Sequence, residues 1–236
     1  MNSSRVRVVS LVPSATETLL TLGADVVACT RFCEQPQLRH VGGTKNPDVA
    51  AIVALAPDVV VLDEEENRRE DAETLTAAGL EVLVTAVRDV GDAREATARL
   101  AARCRRPGPV GEEWPASDPP PAHTAFVPIW RRPWMTINAD TYGAAVLRSV
   151  GVDLITAGWR ERYPTVELDA VGRPDLVLVP SEPYAFSAAH VADLAAAFPT
   201  AAVLRVDGQD LFWWGVRTPG AVGRLAEQVR SATSSS

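Results

Sequence analysis

Two acidic loops carry the residues of this sequence that are best suited to acid–base chemistry. Glu64–Glu66 come just after the short apolar run Val59–Leu62, and Glu182 comes just after a similar run, Leu176–Val179. A carboxyl group can act as a general acid or base when an apolar environment raises its pKa. Exposed glutamates can instead dock onto arginines of a partner protein. We favour docking or ligand contact over catalysis, because a run of charges usually lies in solvent.

Aromatic residues are concentrated in two loops of the second half of the chain. Of the six tryptophans, Trp130 and Trp134 lie in one loop, and Trp213 and Trp214 lie in the other, beside Phe212. Aromatic walls with a few polar groups are typical of pockets for large, flat or bulky ligands. The alternative is that these rings close a hydrophobic core. Their position in loops, rather than at regular helical spacing, favours the pocket.

Two arginines and one cysteine lie in loops of the same kind. Arg131 and Arg132 could hold a carboxylate or phosphate of a ligand, or they could form a solvated basic turn. Cys33 could bind a metal ion, or the metal of a bound ligand, as a thiolate. A cysteine without a neighbouring histidine is more often a passive small residue, so both interpretations of Cys33 stay open.

Composition and motifs exclude several classes of protein. The sequence lacks HExxH, CxxC, P-loop and GxGxxG patterns. These patterns are the usual signatures of metal hydrolases, thiol redox proteins and nucleotide sites. Three cysteines are too few and too scattered to indicate a disulfide framework. The net charge of −7 and the lack of a long basic run argue against nucleic acid as a partner.

The N-terminal apolar segment helps to predict where in the cell the protein is located. Arg5–Leu11 gives only a short apolar run before Pro13 and Glu17, whereas a secretory segment needs roughly 7–15 uninterrupted apolar residues. The sequence also lacks the roughly 20 consecutive apolar residues of a membrane span. These observations predict a cytoplasmic protein without a membrane span, with an extracytoplasmic location as the alternative if the true start lies upstream.

Strands and helices alternate along the chain, which predicts mainly parallel sheets. Ser14, in a capping box with Glu17, and Asn46 and Asn138 are the predicted N-caps of three helices. A Pro-rich segment, residues 107–122, separates the two halves. We therefore predict an α/β lobe over residues 1–88, a linking helix and linker over 89–122, and a second α/β lobe over 123–236. Ligands of such sheets bind at the carboxyl ends of the strands.

The sequence resembles the cobalamin and iron-siderophore substrate-binding proteins of ABC importers. The resemblance is carried by VVSLVPSATE at Val8–Glu17, GGTKNPD at Gly42–Asp48 and the strand Pro57–Val61. It continues through residues 126–134 and 175–184, and it covers nearly the whole chain apart from residues 107–122. The resemblance implies two Rossmann-like lobes with mainly parallel sheets, joined by one backbone helix, and a ligand cleft between the lobes.

The resemblance also implies a function and a set of site residues. It implies reversible, non-enzymatic capture of a corrinoid or another metal chelate. No resident cofactor is required, because the corrinoid or iron chelate is the ligand itself. By position in the family, the ligand-binding residues would be Phe32, Cys33, Glu65, Asn67, Trp130, Arg131, Trp134, Pro183, Tyr184, Phe212, Trp213 and Trp214. The residues that would dock on a permease are Glu64, Glu66 and Glu182.

Two departures from the family pattern set the remaining expectations. The sequence shows neither signal peptide nor lipid anchor, so an ABC permease is expected as partner only if the protein is exported. The family's backbone helix needs about 20 residues or more, roughly 30 Å, whereas the candidate helix here would break at Pro107. We expect a monomer. The alternative function is an enzyme acting on a bulky metabolite, with Glu64–Glu66 and Glu182 as acid and base.

Overall fold

The chain folds into two compact units. The computed structural model describes residues 5–108, 113–115 and 118–234. The first unit contains residues 5–87, 91–108 and 214–216, and the second contains the other described residues. The predicted linking segment is shared between the units, with residues 91–108 in the first and Arg88–Val90 in the second. Residues 214–216 return to the first unit from near the other end of the chain.

A parallel sheet with strand order β3-β2-β1-β4-β5 forms the centre of the first unit. The chain runs from β1 to β2 on one side and returns to β4 on the other, so the strand order reverses between β1 and β4. Every residue of β4 is buried, as is usual for an inner strand of a parallel sheet. The strands are β1 (Arg7–Ser10), β2 (Asp25–Cys29), β3 (Arg39–His40), β4 (Val59–Asp63) and β5 (Val82–Thr85).

The first three helices connect these strands, and a fourth follows β5. They are α1 (Pro13–Thr21), α2 (Val49–Leu55), α3 (Arg69–Ala77) and α4 (Val90–Arg103). Ile52 of α2 and Leu75 of α3 are fully buried with Val9, Val60 and Leu62 of the sheet. The apolar runs identified in the sequence therefore form the core of this unit.

A second parallel sheet, with strand order β11-β10-β6-β8, forms the centre of the second unit. The strand order reverses between β6 and β10. A two-stranded antiparallel sheet, β7 with β9, accompanies it. The strands are β6 (His123–Phe126), β7 (Trp134–Met135), β8 (Val152–Leu154), β9 (Thr165–Val166), β10 (Leu176–Pro180) and β11 (Ala202–Val206). The helices are α5 (Tyr142–Arg148), α6 (Ala188–Ala197), α7 (Gly208–Phe212) and α8 (Thr218–Thr233), with a short 3-10 helix at Leu168–Ala170.

Three predicted helix caps are wrong. Helix α1 begins at Pro13, a residue suited to the first helical position. Its N-cap is Val12, whose side chain has no hydrogen-bond acceptor, so the helix has no side-chain cap. Asp48, rather than Asn46, caps α2 by accepting a 2.9 Å hydrogen bond from Ala51 N. Thr141, rather than Asn138, caps α5.

Helix α4 ends at Arg103, earlier than the predicted break at Pro107. Arg105 has a left-handed backbone (φ 53°), and Arg106 N donates to Ala101 O at 2.9 Å, which is a Schellman-type helix end. The 14 residues of α4 are fewer than the family's backbone helix needs.

Part of the predicted linker, residues 109–112 and 116–117, lies outside the described residues. Helix α8 runs to Thr233. None of the helices in the described ranges is both long and apolar enough to cross a membrane.

Candidate ligand-binding site

The loop that follows β4 is fixed by Asn67. The Asn67 side-chain oxygen accepts a 2.8 Å hydrogen bond from Asp63 N. Its amide nitrogen donates to Leu11 O at 3.2 Å and to Thr44 O at 2.9 Å. Asn67 is buried and joins the ends of β1 and β4 to the turn at Thr44. Its amide is thus occupied by the backbone of the unit, and its predicted contact with a ligand stays a prediction.

Asp63, which the sequence-based prediction did not include, is the buried carboxylate of this loop. Its oxygens accept hydrogen bonds from Thr85 Oγ1 at 2.7 Å and from Glu65 N at 2.9 Å. Burial raises the pKa of Asp63, although these hydrogen bonds oppose the effect. Because both oxygens hold the loop in place, this geometry points to a structural role for Asp63.

A depression of about 400 Å³ lies beside this loop, within the first unit. Asp63 and Asn67 use their polar atoms in hydrogen bonds within the first unit. Arg68 is paired with Asp71 at 2.8 Å. Glu64 and Asn67 are the two predicted site residues in its lining. The lining residues are Leu62, Asp63, Glu64, Asn67, Arg68, Arg69, Ala72 and Val84.

Phe32 is the exposed aromatic residue of the first unit's strand-end loops. Half of its surface is accessible (50%), and the Arg31 guanidinium lies 4.9 Å from its ring centre. The ring also packs close to Gly43, where a β-carbon would lie 3.1 Å from it. Nearby, Lys45 Nζ donates to Glu65 O at 2.6 Å. This loop therefore presents an apolar ring next to positive charge.

Cys33 lies in the interior, unlike its neighbour Phe32. The side chain is buried, and its sulfur is 3.2 Å from both Thr16 Oγ1 and Thr30 Oγ1. Hydrogen bonding from Cys29 lowers the pKa of Cys33, helped by the two threonine hydroxyls and opposed by burial. Cys33 is thus a shielded thiol with a stabilised thiolate form.

In the second unit, the loops after β6 and β10 bring aromatic side chains together. Trp130 contacts Tyr184 edge to face, with 5.1 Å between ring centres. Tyr184 packs in turn on Phe186 at 4.8 Å and on His190 at 5.8 Å. We call Trp130, Tyr184, Phe186 and His190 the aromatic patch. Phe186 is buried, Tyr184 and His190 are partly buried, and Trp130 is 44% exposed.

His190 has a defined hydrogen-bonding role in the aromatic patch. Its Nδ1 accepts a hydrogen bond from Ser187 N at 3.2 Å, in a capping box at the start of α6. In the neutral imidazole, Nε2 then carries the hydrogen. A ligand at the patch would therefore meet a donor at Nε2. Phe186 and His190 were missed in the sequence because neither belongs to a tryptophan-rich loop.

Trp134 and Arg131 are used mainly inside the second unit. Trp134 is buried and stacks on Phe186, with ring centres 5.9 Å apart and planes 10° apart. Arg131 lies 4.5 Å from the Trp134 ring centre and donates to Asp193 at 3.1 Å. The alternative interpretation, that some tryptophans close a core, fits Trp134. The adjacent Arg132 and the loop residue Pro183 are exposed.

Glu182 is held inside the second unit rather than free in solvent. Trp213 Nε1 donates to Glu182 Oε1 at 2.6 Å. Gly208 approaches so closely that a β-carbon there would lie 2.6 Å from Glu182 N and 2.8 Å from its O. The Arg217 guanidinium lies 5.7 Å from the Trp213 ring centre. Only Gly fits at position 208 without movement of the loop that carries Glu182.

The three aromatic side chains of the Phe212–Trp214 loop lie in different surroundings. Phe212, partly buried, packs against Gly143 of α5, where a β-carbon would lie 2.9 Å from its ring. Trp213 contacts Glu182, as described above. Trp214 is buried and belongs to the first unit. The sequence predicted a single aromatic wall here, whereas the three rings have separate packing roles.

The predicted site residues therefore form two groups. In the first unit, Phe32, Glu64, Glu65 and Glu66 are exposed, while Asn67 and Cys33 are buried. In the second unit, Trp130 and Tyr184 form a surface, while Trp134 and Trp213 are used internally. Among the described residues, no group of three or more histidine, cysteine, aspartate or glutamate side chains is arranged to hold a metal ion.

Comparison with solved structures identifies the fold. The periplasmic vitamin B12-binding protein BtuF of Vibrio cholerae matches with a TM-score of 0.75 and 18% identity over 97% of this chain and 98% of that protein. The periplasmic heme-binding protein BhuT matches with a TM-score of 0.77 and 20% identity over 96% and 98%. The heme-binding protein HutB of Vibrio cholerae matches with a TM-score of 0.75 and 18% identity over 96% and 99%. The chain has the fold of these periplasmic binding proteins.

The structural match confirms the fold that the sequence resemblance predicted. No known family profile and no curated protein sequence matches the chain. The three proteins named above are described as periplasmic, and the match does not support the predicted cytoplasmic location. At 18–20% identity the match establishes the fold and leaves the ligand to be inferred from the site.

Proposed function

We propose that this chain is a non-enzymatic binding protein for a bulky, metal-bearing ligand of the corrinoid or haem type. The observation that carries the proposal is the aromatic patch, which lies where the strand order of the second sheet reverses. Ligands of open α/β sheets bind at such positions. The shared fold with vitamin B12- and heme-binding proteins supports the same class of ligand.

The construction of the patch suits a flat or bulky ligand. Trp130 is 44% exposed although it is large and apolar, and it is supported by Tyr184 and the buried Phe186. A rigidly supported exposed aromatic ring can bury a large area against a ligand with little loss of side-chain freedom. The Nε2–H of His190 provides a polar contact at its margin.

The enzymatic alternative receives less support. Glu64–Glu66 are exposed, and an acid–base pair needs one carboxyl in apolar surroundings. Glu182 accepts a hydrogen bond from Trp213 and packs against Gly208, which fits a positioning role better than proton transfer. Glu64 and Glu66 remain suited to docking on arginines of a permease, and the proposed location is extracytoplasmic.

Ligand titration tests the proposal directly. Cobalamin, cobinamide, haem and a ferric siderophore would each be added to purified protein while the absorption spectrum and thermal unfolding are followed. A true ligand at about 100-fold excess over its dissociation constant adds about 2.7 kcal/mol to the free energy of unfolding. If none of the four changes either signal, the proposed ligand class is wrong.

Substitutions then locate the site. We expect Trp130→Ala to weaken binding by roughly 30-fold, as for an aromatic hot spot of about 2 kcal/mol. Tyr163→Ala is the matched control, because Tyr163 is a similarly exposed aromatic residue (40%) of the same unit, outside the patch. If the two variants bind the ligand with equal affinity, the aromatic patch is not part of the binding site.

A further inference from the structure

The depression beside the loop after β4 has the size of a small-molecule site and is not part of the aromatic patch. Its volume is about 400 Å³, and typical ligand pockets measure roughly 300–1,000 Å³. All of its lining residues belong to the first unit. The first unit therefore builds this depression alone, from the ends of β4 and β5 and the start of α3.

The floor of the depression is apolar and is formed by Leu62, Ala72 and Val84. Leu62 of β4 and Val84 of β5 are paired in register, so their side chains project from the same face of the sheet. Leu62 is buried in the core together with Leu75 of α3, whereas Val84 is 38% exposed. Because β5 is the edge strand of its sheet, Val84 lies next to solvent. The floor thus offers an apolar surface that a ligand can cover.

Both arginines of the lining are paired with carboxylates of α3. Arg68 donates two hydrogen bonds to Asp71, at 2.9 and 2.8 Å, and Arg69 donates one to Glu73 at 2.8 Å. Asp71 and Glu73 are not among the lining residues. An anion in the depression would have to compete with these internal carboxylates, so the two arginines do not make it an anion site.

The acidic residues of the lining, Asp63 and Glu64, carry the charge that is not offset. The Asp63 oxygens accept hydrogen bonds from a threonine hydroxyl and a backbone N–H group rather than from a cation. Glu64 is exposed, and its carboxylate forms no ion pair within the part of the chain that the structure describes. A carboxylate beside an apolar floor suits a ligand with a positive group and an aliphatic body.

We propose that this depression binds a small organic cation, namely an alkylammonium ion. Its ammonium group pairs with Glu64, and its chain covers Val84 and Ala72. The proposal goes beyond the corrinoid or haem site, because it uses no residue of the aromatic patch and does not depend on that site. Each methylene buried on the floor should strengthen binding roughly three- to fourfold. The ion pair is close to solvent and should contribute about two- to fivefold.

Titration of ¹⁵N-labelled, full-length protein with hexylammonium chloride tests the site, with amide chemical shifts as the readout at constant ionic strength. We expect saturable shifts at Glu64, Ala72 and Val84, and binding roughly tenfold tighter than that of butylammonium. Hexanoate, which has a similar chain and the opposite charge, should bind more weakly than hexylammonium. Shifts confined to the aromatic patch, no saturable shift at the lining, or equal binding of hexanoate would each overturn the proposal.

Substitutions in the lining provide the second test. Ala72→Leu places a larger side chain in the depression and should weaken hexylammonium binding by about tenfold or more. Ala77→Leu is the matched control, because Ala77 is exposed on the same helix and outside the lining. It should bind like the wild type. Equal affinity of these two variants would contradict the site.

Glu64→Gln tests the charge separately from the floor. It keeps the size of the side chain, and it should weaken hexylammonium binding by about two- to fivefold while the binding of hexanol stays unchanged. Because Glu64 is exposed, this variant is informative even if Ala72→Leu does not fold. Unchanged hexylammonium affinity in Glu64→Gln would overturn the pairing of the ammonium group with this carboxylate.

Discussion

The loops that follow β4 and β10 start from similar strands and are fixed by different interactions. Both strands are inner strands, buried at every position, and both lie next to the first strand of their sheet. After β4, the amide of Asn67 binds three backbone groups. After β10, Glu182 is held by the close approach of Gly208 and by the Trp213 indole.

The two loops also differ in the side chains that hold them in place. The Asn67 amide is uncharged, so its hydrogen bonds do not depend on pH. Gly208 begins α7 and Trp213 follows its last residue. Helix α7 is tied to α8 by Asp210. This carboxylate is buried and accepts hydrogen bonds from Arg217 at 2.9 Å and from Arg224 at 2.6 Å. The same strand arrangement thus carries an amide and the Asp63 carboxylate in one unit, and a charged support of one carboxylate with two arginines in the other.

Asp210→Asn should have the largest effect on stability. Burial raises the pKa of Asp210, but hydrogen bonds from Arg224 and Arg217 outweigh it and hold the pKa below its ordinary value. Removing the charge leaves two arginines without their shared partner, and we expect a loss of about 3 kcal/mol in urea unfolding at pH 7.

The pH dependence gives this prediction a second test. A depressed carboxylate pKa stabilises the fold at pH values above the unfolded pKa of about 4, and the stabilisation is lost as pH falls through the folded pKa. The difference between wild type and Asp210→Asn should therefore shrink below about pH 4. Glu227→Gln, which removes an exposed ion pair with Arg230 on the same helix, should change stability by less than about 0.5 kcal/mol. Equal losses from the two substitutions would contradict the charged support.

Asn67→Ala should be the next most damaging substitution, with a loss of about 2–3 kcal/mol. It leaves the backbone groups of Asp63, Leu11 and Thr44 without their partner, and buried unsatisfied groups are costly. This loss should be the same at pH 5 and pH 8, as should that of Asp210→Asn, which shrinks only below about pH 4. Glu66→Ala, one residue away and exposed, is the control with little effect. A strong dependence of the Asn67→Ala loss on pH between 5 and 8 would contradict a contribution from the uncharged amide alone.

Gly208→Ala should cost about 2 kcal/mol, because the new methyl group would overlap the Glu182 backbone. Gly223→Ala is the matched control, because a β-carbon at this position of α8 meets no described atom within 4 Å. We expect this control to stabilise the protein by up to about 1 kcal/mol. Thermal unfolding of the two variants compares them directly. Similar behaviour would mean that close approach does not fix the loop after β10.

Trp213→Phe should have the smallest effect, a loss of about 1 kcal/mol. It keeps the ring near Arg217 and removes the hydrogen bond to Glu182 Oε1. The double substitution with Glu182→Gln should show coupling between the two sites, measured by urea unfolding. Additive losses would indicate that the short hydrogen bond contributes nothing to stability.

The sheets and their order of elements could be predicted because their signals are local. Runs such as Val59–Leu62 and Leu176–Val179 are apolar and bounded by prolines and charges, so the buried strands were identifiable. The two-residue strands β7 and β9 could not be found, because their pairing depends on contacts distant in sequence. The cap of α1 was misplaced because Pro13 and Ser14 both give start signals.

The candidate site could be predicted only in part. Trp130 was identified from its aromatic loop and Tyr184 from its position in the family resemblance, and the two rings are in contact. Trp134 has the same sequence signal as Trp130 and is buried, because exposure depends on what packs against each ring. The sequence left the role of Cys33 open, because its burial depends on one turn and on Thr16 from another helix.

Residues 214–216 affect when the first unit can finish folding during synthesis. They complete the first unit: Trp214 is buried there, Val216 N donates to Thr18 Oγ1, and Gly215 packs directly on the Thr18 side chain. During synthesis the folding of the first unit therefore cannot be completed, and α1 stays partly uncovered, until almost the whole chain has left the ribosome. An N-terminal fragment ending before residue 214 would lack this segment, and we expect it to need a chaperone, or residues 214–216 supplied as a peptide, to stay folded.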